Sequence, residues 1–174
     1  MDVAGAFNNV HHQRLIHNMK TRKVPMPIIR WTESFLSGRT TQLKFNGIVS
    51  GSIATTACVP QGSPMSPILY MYYNGDLLEV PRKSGQSLGF IDDIAYGVQG
   101  PTDDENVEIL QGMLEKAEQW RPKHGAKFET TKYLLVHFTR RRTLKTSTSI
   151  SITGTVIHPS EEARYLGIVF DKQL

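Results

Sequence analysis

The run from Ser87 to Gly100, SLGFIDDIAYGVQG, constrains this chain more than any other. Phe90, Ile91, Ile94 and Ala95 suit an apolar interior, yet Asp92 and Asp93 place two adjacent carboxylates among them. Ionised groups are costly to bury unless they are paired or hold a metal. The run therefore reads as a hairpin whose tip is either open to water or part of a metal site. The rest of the chain has to supply the partners.

Around this hairpin the pattern is mixed. MDVAGAFNNV reads as the end of a strand entering a turn at Asn8-Asn9. HHQRLIHNMKTRK reads as a helix with Leu15, Ile16 and Met19 on one face. A second helix is expected over PIIRWTESFLSG, opened by Pro27 and closed by Gly38. TTQLKFNGIVSGSIATTACV suggests a hairpin turning at Asn46-Gly47. PQGSPMSPILYMYYNGDLLEV suggests a loop and then a long apolar helix, with Pro64 and Pro67 near its start. TDDENVEILQGMLEKAEQW repeats Val107, Leu110, Leu114 and Ala117 at helical spacing. Strands are expected in KYLLVHFT, SISITG, TVIH and ARYLGIVF. Helices and antiparallel hairpins sharing one chain predict an α+β fold, an antiparallel sheet backed by helices on one face.

Composition narrows the class. The 174 residues fit one domain, and 39% hydrophobic against 21% charged residues supports a real core. A net charge of +4 is compatible with an anionic partner. Cys58 is the only cysteine, so neither an internal disulfide framework nor a cysteine-rich zinc module is available. No apolar run approaches the roughly 18 residues of a membrane span. No signal-peptide core follows Met1, so a soluble intracellular chain is expected, nuclear or cytoplasmic, with no membrane partner.

Taken singly, the polar features are weak: a lone Asp2, a turn-favoured Asp pair, a Pro/Gly loop and a lysine heading a strand. Their order is specific. DVAGAFNNV, VPQGSPMSPILYMYYN, FIDDIAYG, GAKFETTKYLLVHF and ARYLGIVF resemble, in sequence order, motifs A to E of a reverse transcriptase palm. PQGSPMSPIL and HPSEEARYLGIVFDKQL look most like the non-LTR retrotransposons of fungi. The resemblance covers essentially the whole chain and makes residues 1–174 a single palm domain.

The resemblance implies RNA-directed DNA polymerase activity, with an RNA template, a DNA primer and deoxynucleoside triphosphates as partners. Two Mg²⁺ ions, with Mn²⁺ as a substitute, would lie on Asp2 and Asp92, with Asp93 the less direct third acid. Paired Mg²⁺ ions steady the attacking and leaving oxygens of nucleotidyl transfer, and hard cations of this kind prefer carboxylates. Phe7 falls where the family has an aromatic that blocks a ribose 2′-OH, a role compatible with an ordinary core position. Gln61 and Gly62 fall in the loop that supports template and incoming nucleotide. Lys132 matches a lysine placed to protonate pyrophosphate. Tyr165, Leu166 and Gly167 match the primer grip, a small hairpin holding the primer end, where a plain buried strand is the equal alternative. Arg140, Arg141, Arg142 and Lys145 read as a solvated turn between two strands, ahead of the alternatives of a phosphate contact or a nuclear address, and His11, His12 and His17 as a polar helix face.

Three departures from the family pattern stand out. The chain starts one residue before the motif A aspartate, so half of a central strand is missing and Asp2 is expected to fray. Fingers and thumb are missing, leaving other chains or domains as their source. Asn8 stands where many relatives have Asp. The alternative function is a catalytically silent remnant that binds nucleic acid or protein.

Overall fold

The computed structural model describes residues 1–81, 85–141 and 143–173. Strand β1 (Val3–Ala4) runs into a turn and then into helices α1 (His12–Thr21) and α2 (Met26–Leu36). Leu15, Ile16 and Met19 of α1 are buried, as their spacing requires, because residues three and four apart share a helix face. Pro25 caps α2 and Pro27 lies in its first turn, where a missing N–H costs little.

A β-ribbon follows, built from β2 (Thr40–Thr41), β3 (Lys44–Phe45), β4 (Ile48–Val49) and β5 (Ile53–Ala54). β2 pairs with β5 and β3 with β4. Asn46 and Gly47 both carry positive φ, 47° and 79°, so the two-residue turn matches the twist of the flanking strands. Leu43, Phe45, Ile48 and Val49 are nevertheless exposed.

Helix α3 (Met65–Leu78) is the centre of the molecule. Leu69, Tyr70, Tyr73, Asn74 and Leu77 are all buried, and apolar residues run nearly all round it, as suits a helix enclosed on several sides. The hairpin of β6 (Gln86–Phe90) and β7 (Asp93–Gly97) comes next, and then α4 (Asp103–Lys123). The Thr102 Oγ1 atom accepts the Glu105 N–H at 3.2 Å and caps α4. Acids in its first turn and Arg121 and Lys123 in its last complement the helix dipole.

β8 (Lys127–Phe128) pairs antiparallel with β1, Val3 opposite Phe128. Just ahead of β1, Met1 and Ile94 exchange two backbone hydrogen bonds: the Met1 nitrogen donates to the Ile94 carbonyl at 2.7 Å and the Ile94 N–H to the Met1 carbonyl at 3.2 Å. Such a mutual exchange is the closely spaced pair of an antiparallel ladder. It joins the β1–β8 and β6–β7 pairs edge to edge, in the order β6-β7-β1-β8.

A single 3₁₀ turn (Thr130–Lys132) leads to an extended segment, the hairpin of β9 (Ile150–Ile152) and β10 (Thr155–Ile157), and the hairpin of β11 (Glu162–Tyr165) and β12 (Ile168–Asp171). Among the described residues every ladder is antiparallel, in six two-stranded pairs. The fold class is α+β, as expected.

Two expectations are corrected. KYLLVHFT is not a strand: Lys132 closes the 3₁₀ turn, and residues 133–139 carry only an isolated bridge, Leu135 to Pro159. The alternation is real, since Tyr133 and Leu135 are buried while Leu134 is exposed. Burial of one face does not supply a neighbouring backbone to pair with, and the segment stays extended without a ladder. ARYLGIVF is two strands, because Leu166 and Gly167 reverse the chain with φ of 50° and 85°.

Two cores result. The larger gathers Leu15 and Met19 of α1, Tyr70 and Tyr73 of α3, and Ala117 and Trp120 of α4; the smaller gathers Val107, Leu114, Tyr133, Leu135, Ile150, Ile152 and Ile157. Buried polar groups knit the larger one. The His124 Nδ1 atom bonds the Trp120 carbonyl at 3.0 Å, which places the proton there. His124 Nε2 then accepts from Arg14 Nε at 3.2 Å and Asn18 Nδ2 at 3.3 Å. The Tyr73 hydroxyl donates to the His124 carbonyl. Helices α1, α3 and α4 thus meet at one polar hub.

Candidate active site

The acids meet because of the sheet order. Asp2 precedes β1, and its carbonyl accepts the Glu129 N–H at 3.1 Å, fixing it to the start of the 3₁₀ turn. Asp92 sits in the β6–β7 turn and Asp93 opens β7, beside the Met1–Ile94 pair. Burial pushes the Asp92 carboxyl above its ordinary range, and the neighbouring Asp93 and Asp2 charges push it the same way, against the pull of Lys132. Asp92 therefore lies within electrostatic reach of both Asp93 and Asp2. Lys132 Nζ donates to Asp2 Oδ2 at 2.7 Å; its side chain is 66% exposed and that of Asp2 22%. The hydrogen bond to Asp2 raises the lysine above its ordinary range.

The β6–β7 turn is strained. Ile91 has φ of 59° at a turn position where glycine usually supplies positive φ, and a β-branched residue rarely adopts it. Helix α3 holds it there: Asn74 Nδ2 donates to the Ile91 carbonyl at 2.5 Å. The Ser87 hydroxyl donates to the Leu78 carbonyl at 2.6 Å and the Tyr96 hydroxyl to the Leu77 carbonyl at 2.8 Å. The hairpin that carries the acid pair is thereby tied to the last two turns of α3.

Beside the acids, Phe7 stacks on Tyr70 with ring centroids 5.3 Å apart. Burial raises the Tyr70 hydroxyl, and Asp92 adds to the effect. Gln61 Nε2 donates to Asn8 Oδ1 at 3.1 Å, joining the loop before α3 to the turn after β1. A groove of about 420 Å³ lies between them, lined by Phe7, Gln61, Gly62, Ser63, Pro64, Ser66 and Pro67. Gly62 takes φ of 88°, with open space where a Cβ would stand; its backbone conformation, not crowding, favours glycine.

The structure thus brings Asp2, Asp92, Asp93 and Lys132 together and sets Phe7, Gln61 and Gly62 around one groove. Tyr165 lies within electrostatic reach of Asp93: burial raises its hydroxyl first and Asp93 second. Its Oη is buried without a hydrogen-bond partner. Leu166 and Gly167 form the turn itself, with Leu166 half-exposed. Among the described residues no group of three or more His, Cys, Asp and Glu side chains is arranged to hold a metal ion. His12 instead bonds the Cys58 carbonyl at 2.7 Å. Lys145 pairs with Asp104 at 2.9 Å and Arg140 Nε donates to the Gln173 carbonyl at 3.2 Å; Arg142 lies outside the described residues. No helix among the described residues is long and apolar enough to cross a membrane.

Sequence reading missed Tyr70, Asn74 and the strain at Ile91. Asn74 left a signal, an amide in a helix whose neighbouring inward positions, Leu69, Tyr70, Tyr73 and Leu77, are aliphatic or aromatic. The strain left none, because isoleucine does not announce positive φ.

A family model described as reverse transcriptase (RNA-dependent DNA polymerase) matches residues 1–170. The chain is 27% identical over 180 residues to an RNA-directed DNA polymerase from mobile element jockey of Drosophila funebris. It is 27% identical over 178 residues to a probable RNA-directed DNA polymerase from transposon X-element of Drosophila melanogaster, and 28% over 181 residues to that from transposon BS. All of this chain is covered in each case, against 19%, 19% and 20% of the relatives; it spans about a fifth of their length.

Proposed function

The chain belongs to the reverse transcriptase family, and on that premise we propose that it is the palm that carries out RNA-templated addition of deoxynucleotides to a DNA primer 3′ end. The observation that carries the reading is the meeting of Asp2 with Asp92 and Asp93, from chain segments about ninety residues apart, beside Lys132. Polymerisation needs carboxylates gathered at one place with a cation among them.

In this reading Asp2, Asp92 and Asp93 would hold two divalent ions, Mg²⁺ or Mn²⁺. Their chemistry suits the group: the donors are hard oxygens, and mutual repulsion at Asp92 marks an excess of negative charge that a cation relieves. Bound ions of this kind stabilise the charge that develops on the attacking and leaving oxygens. The chain's own residues supply the rest. Phe7, backed by Tyr70, forms a rigid wall against a ribose 2′-OH. Gln61 and Gly62 border the groove where template and incoming nucleotide lie. Lys132 brings a proton to the pyrophosphate, and the hairpin of Tyr165, Leu166 and Gly167 holds the primer end. The wording of PQGSPMSPIL and HPSEEARYLGIVFDKQL supports a non-LTR element of fungal type.

The test is Mg²⁺-dependent primer extension on an RNA template, comparing the chain with Asp92→Asn and recording the thermal melt of each. Extension is expected to fall by roughly 10²-fold or more with the melt retained, the scale of losing one preorganised charge-stabilising group. Equal extension by both proteins would refute the assignment.

A further inference from the structure

Lys132 occupies a position that the proton-donor role alone does not explain. Its ammonium is not near Asp2 by the accident of a long, free side chain. The backbone that carries it is tied to Asp2 through Glu129. The Asp2 carbonyl takes the Glu129 N–H at 3.1 Å, and the Lys132 N–H closes on the Glu129 carbonyl at 3.0 Å. Tyr133, the next residue, is buried in the smaller core and anchors the other side. From this rooted position the lysine spans 130 residues of sequence to reach Asp2 Oδ2 at 2.7 Å. Asp2 is the more enclosed partner, at 22% exposure, while the 66% exposed lysine has open solvent in which to swing.

We propose that Lys132 is the resident counter-cation of Asp2: its ammonium occupies the carboxylate until a divalent ion displaces it, and the displaced side chain is then free to reach the incoming triphosphate. This rests on the reading of Asp2, Asp92 and Asp93 as metal ligands. A carboxylate oxygen engaged by an ammonium is not open to an ion, so the two cations compete. A lysine suits the exchange better than an arginine, because its compact charge sits on a flexible stem and gives up a single contact, not a bidentate one.

The experiment is a Mn²⁺ titration of the full chain, followed by the electron paramagnetic resonance of free Mn²⁺. It compares wild type, Lys132→Met, Lys132→Gln, Lys132→Arg and Lys127→Met, with Asp92→Asn as reference and a thermal melt of each. Both neutral variants at 132 are expected to bind Mn²⁺ about two- to fivefold tighter, the scale of losing one half-exposed ion pair, with Lys132→Arg no tighter than wild type. Lys127→Met removes an exposed lysine on β8 and is expected to change affinity less than twofold. Unchanged or weaker binding in the two neutral variants overturns the proposal, as does equal tightening in Lys127→Met, which would reduce the effect to net charge. If that failure comes with Mn²⁺ binding that Asp92→Asn abolishes, only the counter-cation role falls. If neither wild type nor the variants bind Mn²⁺, the metal-ligand reading falls with it.

Discussion

His124 is the residue whose chemistry is most sharply set by its surroundings. Its side chain is fully enclosed, its Nδ1 proton is committed to Trp120, and its Nε2 lone pair faces the Arg14 guanidinium and the Asn18 amide. Burial first, and then Arg14 and Lys123, pull its pKa from 6.5 to about 4, although the Trp120 carbonyl and Asp76 favour the proton. Between these values the unfolded chain binds a proton that the folded chain refuses, so stability falls as pH drops from about 6.5 towards 4. The loss is expected to reach up to about 3 kcal/mol. Denaturant midpoints across that range will read it, and His124→Gln is expected to flatten the slope. A slope of equal size in the variant would move the effect to other groups. None of this was legible in the sequence. Arg14 and His124 are 110 residues apart, and the hub exists only once three helices have packed.

At the scale of elements, α3 positions the acid hairpin more than the sheet does. Asn74 satisfies the carbonyl of a strained Ile91, and two further side-chain bonds secure the strands on either side. Asn74→Ala leaves that carbonyl unpaired beside a buried helix and is expected to cost about 1–3 kcal/mol in denaturant unfolding. It is also expected to weaken Mn²⁺ binding by loosening the turn that carries Asp92. Tyr96→Phe removes a bond further from the acids and is expected to cost about 0.5–1.5 kcal/mol with Mn²⁺ affinity retained. The helices were legible because their apolar positions repeat at 3.6 residues, and the ribbon because Asn46-Gly47 admits few other turns. The segment after Lys132 misled because alternation reports which side chains are buried, while a ladder needs a partner strand that no local pattern names. The site followed the same division. The acid pair and Asp2 were readable as residue types in order, but the Lys132–Asp2 pair depends on how a 3₁₀ turn is pinned.

The molecule as a whole is uneven. Helix α3 lies in the larger core and the β6–β7 hairpin is tied to it, whereas the β2–β5 ribbon projects with most of its residues exposed. A two-stranded ribbon with little packing is marginally stable by itself. Its amides are expected to exchange with solvent at least about 10²-fold faster than those of α3, read by hydrogen-exchange mass spectrometry, because local opening there breaks few apolar contacts. Comparable protection in both would mean that the ribbon is covered in solution.

The two backbone bonds between Met1 and Ile94 give the fold an all-or-none character. Side chains alternate sides along a strand, so a slip of one position at that seam would send Asp2 through the sheet to its opposite surface, out of reach of Asp92. Main-chain groups carry the seam, so exchanging side chains nearby alters it little. Adding or dropping a single residue there would part the carboxylates completely. The meeting of the acids is thus tolerant of spelling changes and intolerant of miscounting.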